Sequence, residues 1–262
     1  MNVAMVQFAP VFGEVEKNLQ AVEEACADLS ADLVVLPELC TTGYQFRDRK
    51  ELLELAEQAG GRSLKRLSSV AAACGGHLVA GFAEKKSDKV FNSAALVGPE
   101  GVVGVYRKIH LFSDEKRLFE PGDRGFPVFR AGGIPIGIMI CFDWIFPESA
   151  RSLAMGGAWV IAHTANLVLP FCQDALITRA LENRVFIMSC NRTGTEERIT
   201  GERYEFTGRS RMVGPDGKVL ADGPPDAPAV ITAKIDPSQA SDKKVTSLNH
   251  IIRDRRTDQY RL

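Results

Sequence analysis

Two spacings of apolar residues alternate along the chain. Short continuous apolar runs predict buried strands, and apolar residues that recur every three or four positions predict helices that cover them. Strands are predicted at 2–8, 32–36, 78–83, 91–97, 102–106, 134–140, 158–162, 185–190, 210–213 and 229–235, and helices at 17–29, 64–74, 147–155 and 173–183. Ser63 is predicted to be the N-cap of the second helix. This alternation predicts one α/β domain over 1–262, with mixed sheets covered by helices.

Cys141 lies where a predicted strand meets a predicted helix. The apolar run 134–140 follows Gly132-Gly133, and Pro147 and Glu148 suit the first turn of a helix. A nucleophile on such a sharp bend is lifted to the carboxyl edge of a sheet, near a helix N-terminus. Most free cysteines are simply buried structural residues, so this stretch alone leaves both interpretations open.

The composition is that of an ordinary globular protein and changes this picture little. Hydrophobic residues make up 45% and charged residues 25% of the 262 residues, and the formal net charge is −1. This balance predicts neither nucleic-acid nor anionic-lipid binding. No apolar run approaches the roughly 20 residues that span a bilayer, and the first residues do not resemble a signal peptide. We therefore expect a cytoplasmic protein whose six cysteines are thiols.

The patterns typical of metal and cofactor sites are missing from the sequence. No Cys-x-x-Cys pair occurs, and the four histidines are scattered. The Gly-x-Gly-x-x-Gly and Walker patterns are also absent. The sequence therefore predicts neither a bound metal nor a nucleotide cofactor.

Two further polar residues follow predicted strands. Glu38 comes directly after the strand at 32–36, and Lys108 follows the strand that ends at Tyr106. Either residue alone could be a solvated loop residue. With Cys141 they would form an acyl-transfer site, since a carboxylate can take the thiol proton and return it to the departing amine. An ammonium group would stabilise the developing oxyanion.

A cysteine–histidine pair is the alternative arrangement. His110 and His163 could each serve as the base for Cys141. Nothing in the surrounding sequence singles out either histidine, and a histidine in an α/β loop is more often structural.

Several motifs, in this order on a chain of this length, resemble those of the nitrilase superfamily of carbon–nitrogen hydrolases. They are Leu36-Pro37-Glu38, Thr42-Gly43-Tyr44, Asn92-Ser93-Ala94, the segment from Tyr106 to Leu111, the segment from Glu115 to Gly122, the segment from Cys141 to Glu148, and the segment from Arg179 to Asn183. The resemblance covers essentially the whole chain and is closest to short, single-domain amidase- and nitrilase-like members.

This resemblance implies a four-layer α-β-β-α sandwich with two mixed sheets packed face to face. It also implies a cofactor-free site made of Glu38, Lys108 and Cys141, with Glu115 rather than Glu120 as an auxiliary carboxylate. Family members form at least homodimers, so we expect a homodimer or a higher homo-oligomer.

The expected reaction is hydrolysis of a small aliphatic amide to a carboxylic acid and ammonia. A nitrile or an N-carbamoyl amine is an alternative substrate, and an inactive metabolite-binding relative is the alternative outside enzymes. Trp144 and Ile145 stand where relatives that bind a substrate carboxylate often carry arginine, which favours a neutral substrate. The residues predicted to bind the substrate are Tyr44, Phe112, Phe142, Trp144, Phe146 and Asn166.

The segment 236–262 differs from the rest of the chain. It is rich in charged residues, yet it contains Leu248, Ile251, Ile252 and Tyr260. A frayed terminus is one interpretation. The other is a tail that packs on a partner subunit, because these apolar residues are unsuited to free solution.

Overall fold

The computed structural model describes residues 1–261. Its strands are β1 (Asn2–Gln7), β2 (Leu33–Val35), β3 (His77–Lys86), β4 (Lys89–Gly98), β5 (Gly101–Arg107), β6 (Val128–Ala131), β7 (Ile134–Ile140), β8 (Val160–Ala165), β9 (Phe186–Asn191), β10 (Thr195–Ile199), β11 (Glu202–Glu205), β12 (Arg211–Val213), β13 (Val219–Asp222) and β14 (Ala229–Lys234). Its helices are α1 (Val15–Cys26), α2 (Arg49–Leu55), α3 (Arg62–Cys74), α4 (Glu115–Leu118), α5 (Pro147–Met155) and α6 (Cys172–Asn183). Short 3₁₀ helices occupy Cys141–Ile145 and Pro237–Ala240.

Most strands belong to two six-stranded mixed sheets. The first has the order β14-β1-β2-β3-β4-β5, in which β1, β2 and β3 are parallel. The second has the order β13-β12-β9-β8-β7-β6, in which β7, β8 and β9 are parallel. In each sheet the parallel strands lie at the centre, where residues such as Val34 and Ile161 are fully buried, as expected for strands covered on both faces.

The two sheets pack face to face, and helices cover their outer faces. Apolar side chains from both sheets, such as Met5 and Val79 from the first and Ile138 and Ile161 from the second, belong to one core cluster. The helices α1 and α3 pack on the first sheet, and α5 and α6 pack on the second. The predicted four-layer α-β-β-α sandwich is therefore confirmed.

The predicted elements agree with the observed ones except near some ends and in polar segments. Ser63 is not the N-cap of α3, because Gly61 has that place and Ser63 lies inside the first turn. Its backbone N–H donates to the Glu57 carboxylate instead of its side chain capping the helix. The sequence pattern also missed α2, α4, β6, β13 and the β10–β11 hairpin, which carry too few buried apolar residues to show a clear period.

In the segment 236–261, the first part contacts the rest of the protein and the later part is exposed. The Lys243 ammonium donates to the carbonyl oxygens of Asn183 and Arg184 at the end of α6. Farther along, Leu248 is 89% exposed and Tyr260 is also largely exposed. Among residues 1–261, no helix has the length and apolar character needed to cross a membrane.

We predict that the exposed tail mediates self-association. Replacing Leu248 with aspartate puts a charge where an apolar side chain is almost entirely exposed, and a charge is unfavourable at an interface core. Leu248→Asp should therefore shift the sedimentation of the protein toward the monomer in analytical ultracentrifugation. Leu220→Asp, at an exposed leucine of β13, is the matched control and should leave the sedimentation unchanged. A wild-type protein that sediments as a monomer would rule out this prediction.

Candidate active site

Glu38, Lys108 and Cys141 meet at one edge of the sandwich. Glu38 follows β2, Lys108 follows β5 and Cys141 follows β7. β5 runs in the same direction as β2, because two antiparallel pairings separate it from β3. The carboxyl ends of these strands therefore carry the three residues to a common place, as in open α/β sheets.

Cys141 lies on a tight bend at the end of β7. Its φ is +41°, in the left-handed region that residues other than glycine rarely adopt. The buried Asp143 carboxylate holds this bend by accepting hydrogen bonds from the Ile140 N–H at 2.9 Å and the Tyr106 hydroxyl at 2.7 Å. These contacts fix the direction of the thiol, which is buried with 6% of Cys141 exposed.

Neither histidine is placed as a base for the thiol. The His163 Nε2 lies 2.9 Å from the carbonyl oxygen of Cys141, and its Nδ1 lies 2.8 Å from the Ser189 hydroxyl. Burial lowers the pKa of His163, so the ring is neutral and its Nε2–H donates to that carbonyl. His110 Nδ1 lies 2.8 Å from the Asp143 carboxylate, and its ring stacks on Phe146. The cysteine–histidine arrangement therefore finds no support here.

Lys108 is a buried cation between two carboxylates. Its Nζ donates to Glu38 Oε1 at 2.7 Å and to Glu115 Oε1 at 2.7 Å. Burial by itself lowers the pKa of Lys108, but the charges of Glu115 and Glu38 outweigh it, and the net direction is upward. Burial raises the pKa of Glu115 against the opposing effect of Lys108. Lys108 is thus an ammonium group at neutral pH, fixed in position by its two partners.

One oxygen of Glu38 is unpaired within residues 1–261. Glu38 Oε1 accepts from Lys108 and from the Asn92 side-chain amide, each at 2.7 Å, whereas Oε2 is buried without a hydrogen-bond partner in this part of the chain. After burial, the charge of Glu38 has the largest effect on the pKa of the Cys141 thiol and raises it. A free carboxylate oxygen in this position can accept a proton from the thiol.

The Cys141 thiol is protonated at rest. Burial raises its pKa, the Glu38 and Glu115 carboxylates raise it further, and Lys108 opposes them only in part. A thiolate therefore does not form spontaneously near neutral pH, and attack by the sulfur requires a base.

Tyr44 and Glu115 form a second arm of the site. The Tyr44 hydroxyl donates to Glu115 Oε1 at 2.8 Å, and the Phe112 N–H donates to Glu115 Oε2 at 3.0 Å. The Tyr44 hydroxyl, predicted to bind substrate, is therefore already bonded to Glu115. Glu120 lies away from this arm and pairs with Arg49 at 3.2 Å.

The sequence reasoning missed the residues that hold this arm. The buried Glu196 carboxylate accepts from the backbone N–H groups of Tyr44 at 3.2 Å and Gln45 at 2.6 Å, and Arg192 donates to the same carboxylate. Arg192 directly follows the end of β9, at the same edge as Cys141. This position after a predicted strand is the sequence feature that could have identified Arg192 as part of the site. Glu196 lies on the polar strand β10, whose apolar period is too weak to predict its burial.

A small cavity opens beside Cys141. Its volume is about 20 Å³, little more than one water-sized molecule fills. It is lined by Phe112, Cys141, Phe142, Trp144, Asn166, Leu167, Val168 and Leu169. A cavity this small favours a small substrate, and a molecule larger than water can enter only if the lining side chains move.

Two of the predicted substrate-binding residues line other cavities. Tyr44 and Glu115 line a cavity of about 380 Å³ that does not reach Cys141. Phe146 lines a third, of about 390 Å³, with His110. The smaller cavity is the one we associate with the reaction, because it alone among these three contains the thiol.

Comparisons with known proteins identify the family of this chain. The family model described as carbon-nitrogen hydrolase matches residues 2–244. A nitrilase from Pyrococcus abyssi is 45% identical, with 99% of each chain covered. A 2-oxoglutaramate amidase from Bacillus subtilis is 34% identical, covering 92% of this chain and 93% of the relative.

The fold also matches a solved structure of the same class. The crystal structure of a carbon-nitrogen hydrolase from Helicobacter pylori G27 superimposes with a TM-score of 0.87 at 25% identity, covering 99% of this chain and 96% of the other. The chain therefore belongs to the nitrilase superfamily and is a carbon–nitrogen hydrolase.

Proposed function

We propose that the protein hydrolyses a small aliphatic amide to a carboxylic acid and ammonia through a thioester on Cys141. One observation carries this proposal. A buried ammonium group, Lys108, is fixed between Glu38 and Glu115, Glu38 Oε2 has no hydrogen-bond partner within residues 1–261, and the charges of all three residues act on the pKa of the buried Cys141 thiol. A carboxylate, a thiol and an ammonium group in one buried region support this proposal, because electrostatic interactions are strong there.

In the first half of the reaction the thiol attacks the amide carbon. Glu38 Oε2 takes the thiol proton as the carbon–sulfur bond forms, because the raised pKa of Cys141 keeps the thiol protonated until then. The carbonyl oxygen becomes an oxyanion, which Lys108 and the backbone N–H of Phe142 stabilise. Glu38 then gives its proton to the nitrogen, the carbon–nitrogen bond breaks, and ammonia leaves.

In the second half water replaces the amine. Glu38 accepts a proton from a water molecule, which attacks the thioester carbon. The second tetrahedral intermediate collapses, the carboxylic acid leaves, and the proton returns from Glu38 to the sulfur. Glu38 thus serves as acid and base in both halves.

Glu115 acts through Lys108 and not on the substrate directly. Its Oε1 accepts from both Lys108 and Tyr44, so it holds the ammonium group in place against its partner Glu38. A lysine held by one carboxylate alone would be free to follow Glu38 whenever Glu38 gains or loses a proton.

A nitrile is the second candidate substrate. The observation that favours it is the name of the relative from Pyrococcus abyssi, a nitrilase that aligns over almost the whole chain. With a nitrile, attack by Cys141 would give a thioimidate, which water converts to the same thioester. The catalytic residues would be unchanged, so they do not distinguish the two substrates.

We predict that a covalent acyl adduct forms on Cys141. Wild-type protein quenched during turnover of butyramide should gain the acyl mass on the single peptide that contains Cys141, as measured by mass spectrometry. Cys141→Ala should show no adduct and no release of ammonia. Cys172→Ala, at another buried cysteine, is the control and should behave as wild type. An adduct on a different residue would contradict the assignment.

We predict that Lys108→Met lowers kcat at least about a hundredfold. Methionine keeps the stem of the side chain but removes the charge, and the loss of one oxyanion donor typically costs about 2.7–4 kcal/mol. Steady-state kinetics measure the effect, and far-ultraviolet circular dichroism checks the fold. Lys89→Met, at an exposed lysine of β4, should leave kcat unchanged. A nearly fully active Lys108→Met would refute the role of the ammonium group.

We predict that Cys141 ionises only above the ordinary thiol pKa of about 8.5. Its folded-state pKa is raised, so the thiol is protonated below that value and loses its proton only at higher pH. The difference in ultraviolet thiolate absorbance between wild type and Cys141→Ala follows this titration. In Glu38→Gln the midpoint should move down, since a negative charge that disfavours the thiolate is gone. A wild-type midpoint below the ordinary value would mean that Cys141 is activated by a stable ion pair.

A further inference from the structure

Asn166 presents a buried amide beside the nucleophile. It follows directly after β8, at the same edge as Cys141, and only 3% of it is exposed. Neither its Oδ1 nor its Nδ2 has a hydrogen-bond partner in the described part of the chain. Buried polar groups in folded proteins are nearly always paired, so an unpaired amide on a residue that lines a cavity points to a ligand.

The walls around this amide are otherwise apolar or aromatic. Of the residues that line the cavity within 1–261, Asn166 has the only side chain that carries both a strong donor and a strong acceptor. Phe112, Phe142 and Leu167 form other parts of the wall. A polar group of the substrate that enters this cavity therefore meets Asn166 and the Cys141 thiol.

We propose that Asn166 recognises the –NH₂ end of the scissile group and makes the enzyme select amides and carbamoyl compounds over nitriles. This inference rests on the proposed function, whose substrate it specifies. Two buried acceptors have no hydrogen-bond partner within residues 1–261, namely Asn166 Oδ1, on a residue that lines the cavity at Cys141, and Glu38 Oε2. A primary amide or a carbamoyl group brings two N–H donors on one nitrogen, one for each of these oxygens.

A nitrile cannot satisfy the same pair of acceptors. Its nitrogen accepts hydrogen bonds but carries no hydrogen, so a bound nitrile would leave Asn166 Oδ1 buried and unpaired. Leaving a buried polar group without a partner is costly, and sites built around such groups reject analogues that lack the matching atom strongly. The discrimination follows from the number of donors and not from the size of the pocket, because a nitrile is smaller than the amide.

Butyramide and butyronitrile form the matched pair of probes, since they differ only in the reacting group. Wild type should have a kcat/KM for butyramide that exceeds the value for butyronitrile by on the order of a hundredfold or more. Asn166→Leu keeps the approximate size of the side chain and removes both polar atoms. It should lower kcat/KM for butyramide on the order of a hundredfold while leaving butyronitrile nearly unchanged.

Leu169→Ala is the matched control in the same cavity wall. It alters the shape of the cavity without changing its hydrogen-bonding groups, so both substrates should change by the same factor. The proposal is overturned if the wild-type kcat/KM for butyronitrile equals or exceeds the value for butyramide. It is also overturned if Asn166→Leu lowers kcat/KM by the same factor for both substrates.

Binding to a Cys141→Ala background separates this proposal from the proposed function. Isothermal titration calorimetry should give a lower Kd for butyramide than for butyronitrile, and adding Asn166→Leu should remove the difference. If the two probes bind with equal Kd values in this background, the role proposed for Asn166 is overturned, whatever the turnover of the wild type. Preferential binding that depends on Asn166, combined with no covalent adduct on wild-type Cys141, would instead overturn the thioester mechanism and support the role of Asn166.

Discussion

The buried Lys108 ammonium group is the constraint on which the site depends. A cation without water must be paired, and removing one partner of a buried pair typically costs about 3–5 kcal/mol. Glu38 and Glu115 supply two charges, and each lies 2.7 Å from the ammonium group. The fold must therefore bring the end of β2, the end of β5 and the start of α4 to one point before the lysine can be buried.

The same network explains how a neutral thiol can be a nucleophile. Two carboxylates beside Cys141 disfavour its thiolate, and Lys108 offsets them only in part. Burial and this excess of negative charge raise the pKa of the thiol and keep the sulfur protonated at rest. In the proposed mechanism the Glu38 oxygen that has no partner within residues 1–261 receives the proton during attack, so no thiolate has to form before the substrate arrives.

Residues outside the predicted catalytic set support the backbone of the site. Asp143 and His163 hold the Cys141 bend from two sides, through the backbone N–H of Ile140 and the carbonyl oxygen of Cys141. On the other arm, Glu196 holds the backbone of Tyr44, whose hydroxyl meets Glu115. Catalytic groups held by packed and bonded neighbours lose little free energy to reorganisation when the reaction begins.

Much of the fold was predictable because buried strands and covering helices leave a clear period in the sequence. β7, the bend at Cys141 and α5 were predicted almost to the residue, since an apolar run, a proline and a glycine pair mark their limits. The β10–β11 hairpin was not, because its residues are polar and Glu196 is buried by pairing with Arg192 rather than by apolar character.

By itself, the sequence determined the family to which the chain belongs, and it predicted Glu38, Lys108 and Cys141 as the residues that carry the chemistry. A glutamate, a lysine and a cysteine each follow a strand, and this position after a strand can be read from the sequence alone. Only the tertiary structure decided what each group bonds to. That Glu38 keeps one oxygen free, that the Tyr44 hydroxyl bonds to Glu115, and that Asn166 lines the cavity at Cys141 depend on contacts between residues far apart in sequence. The partners of a buried polar group depend on which elements the fold brings together, and these are not encoded by spacing along the chain.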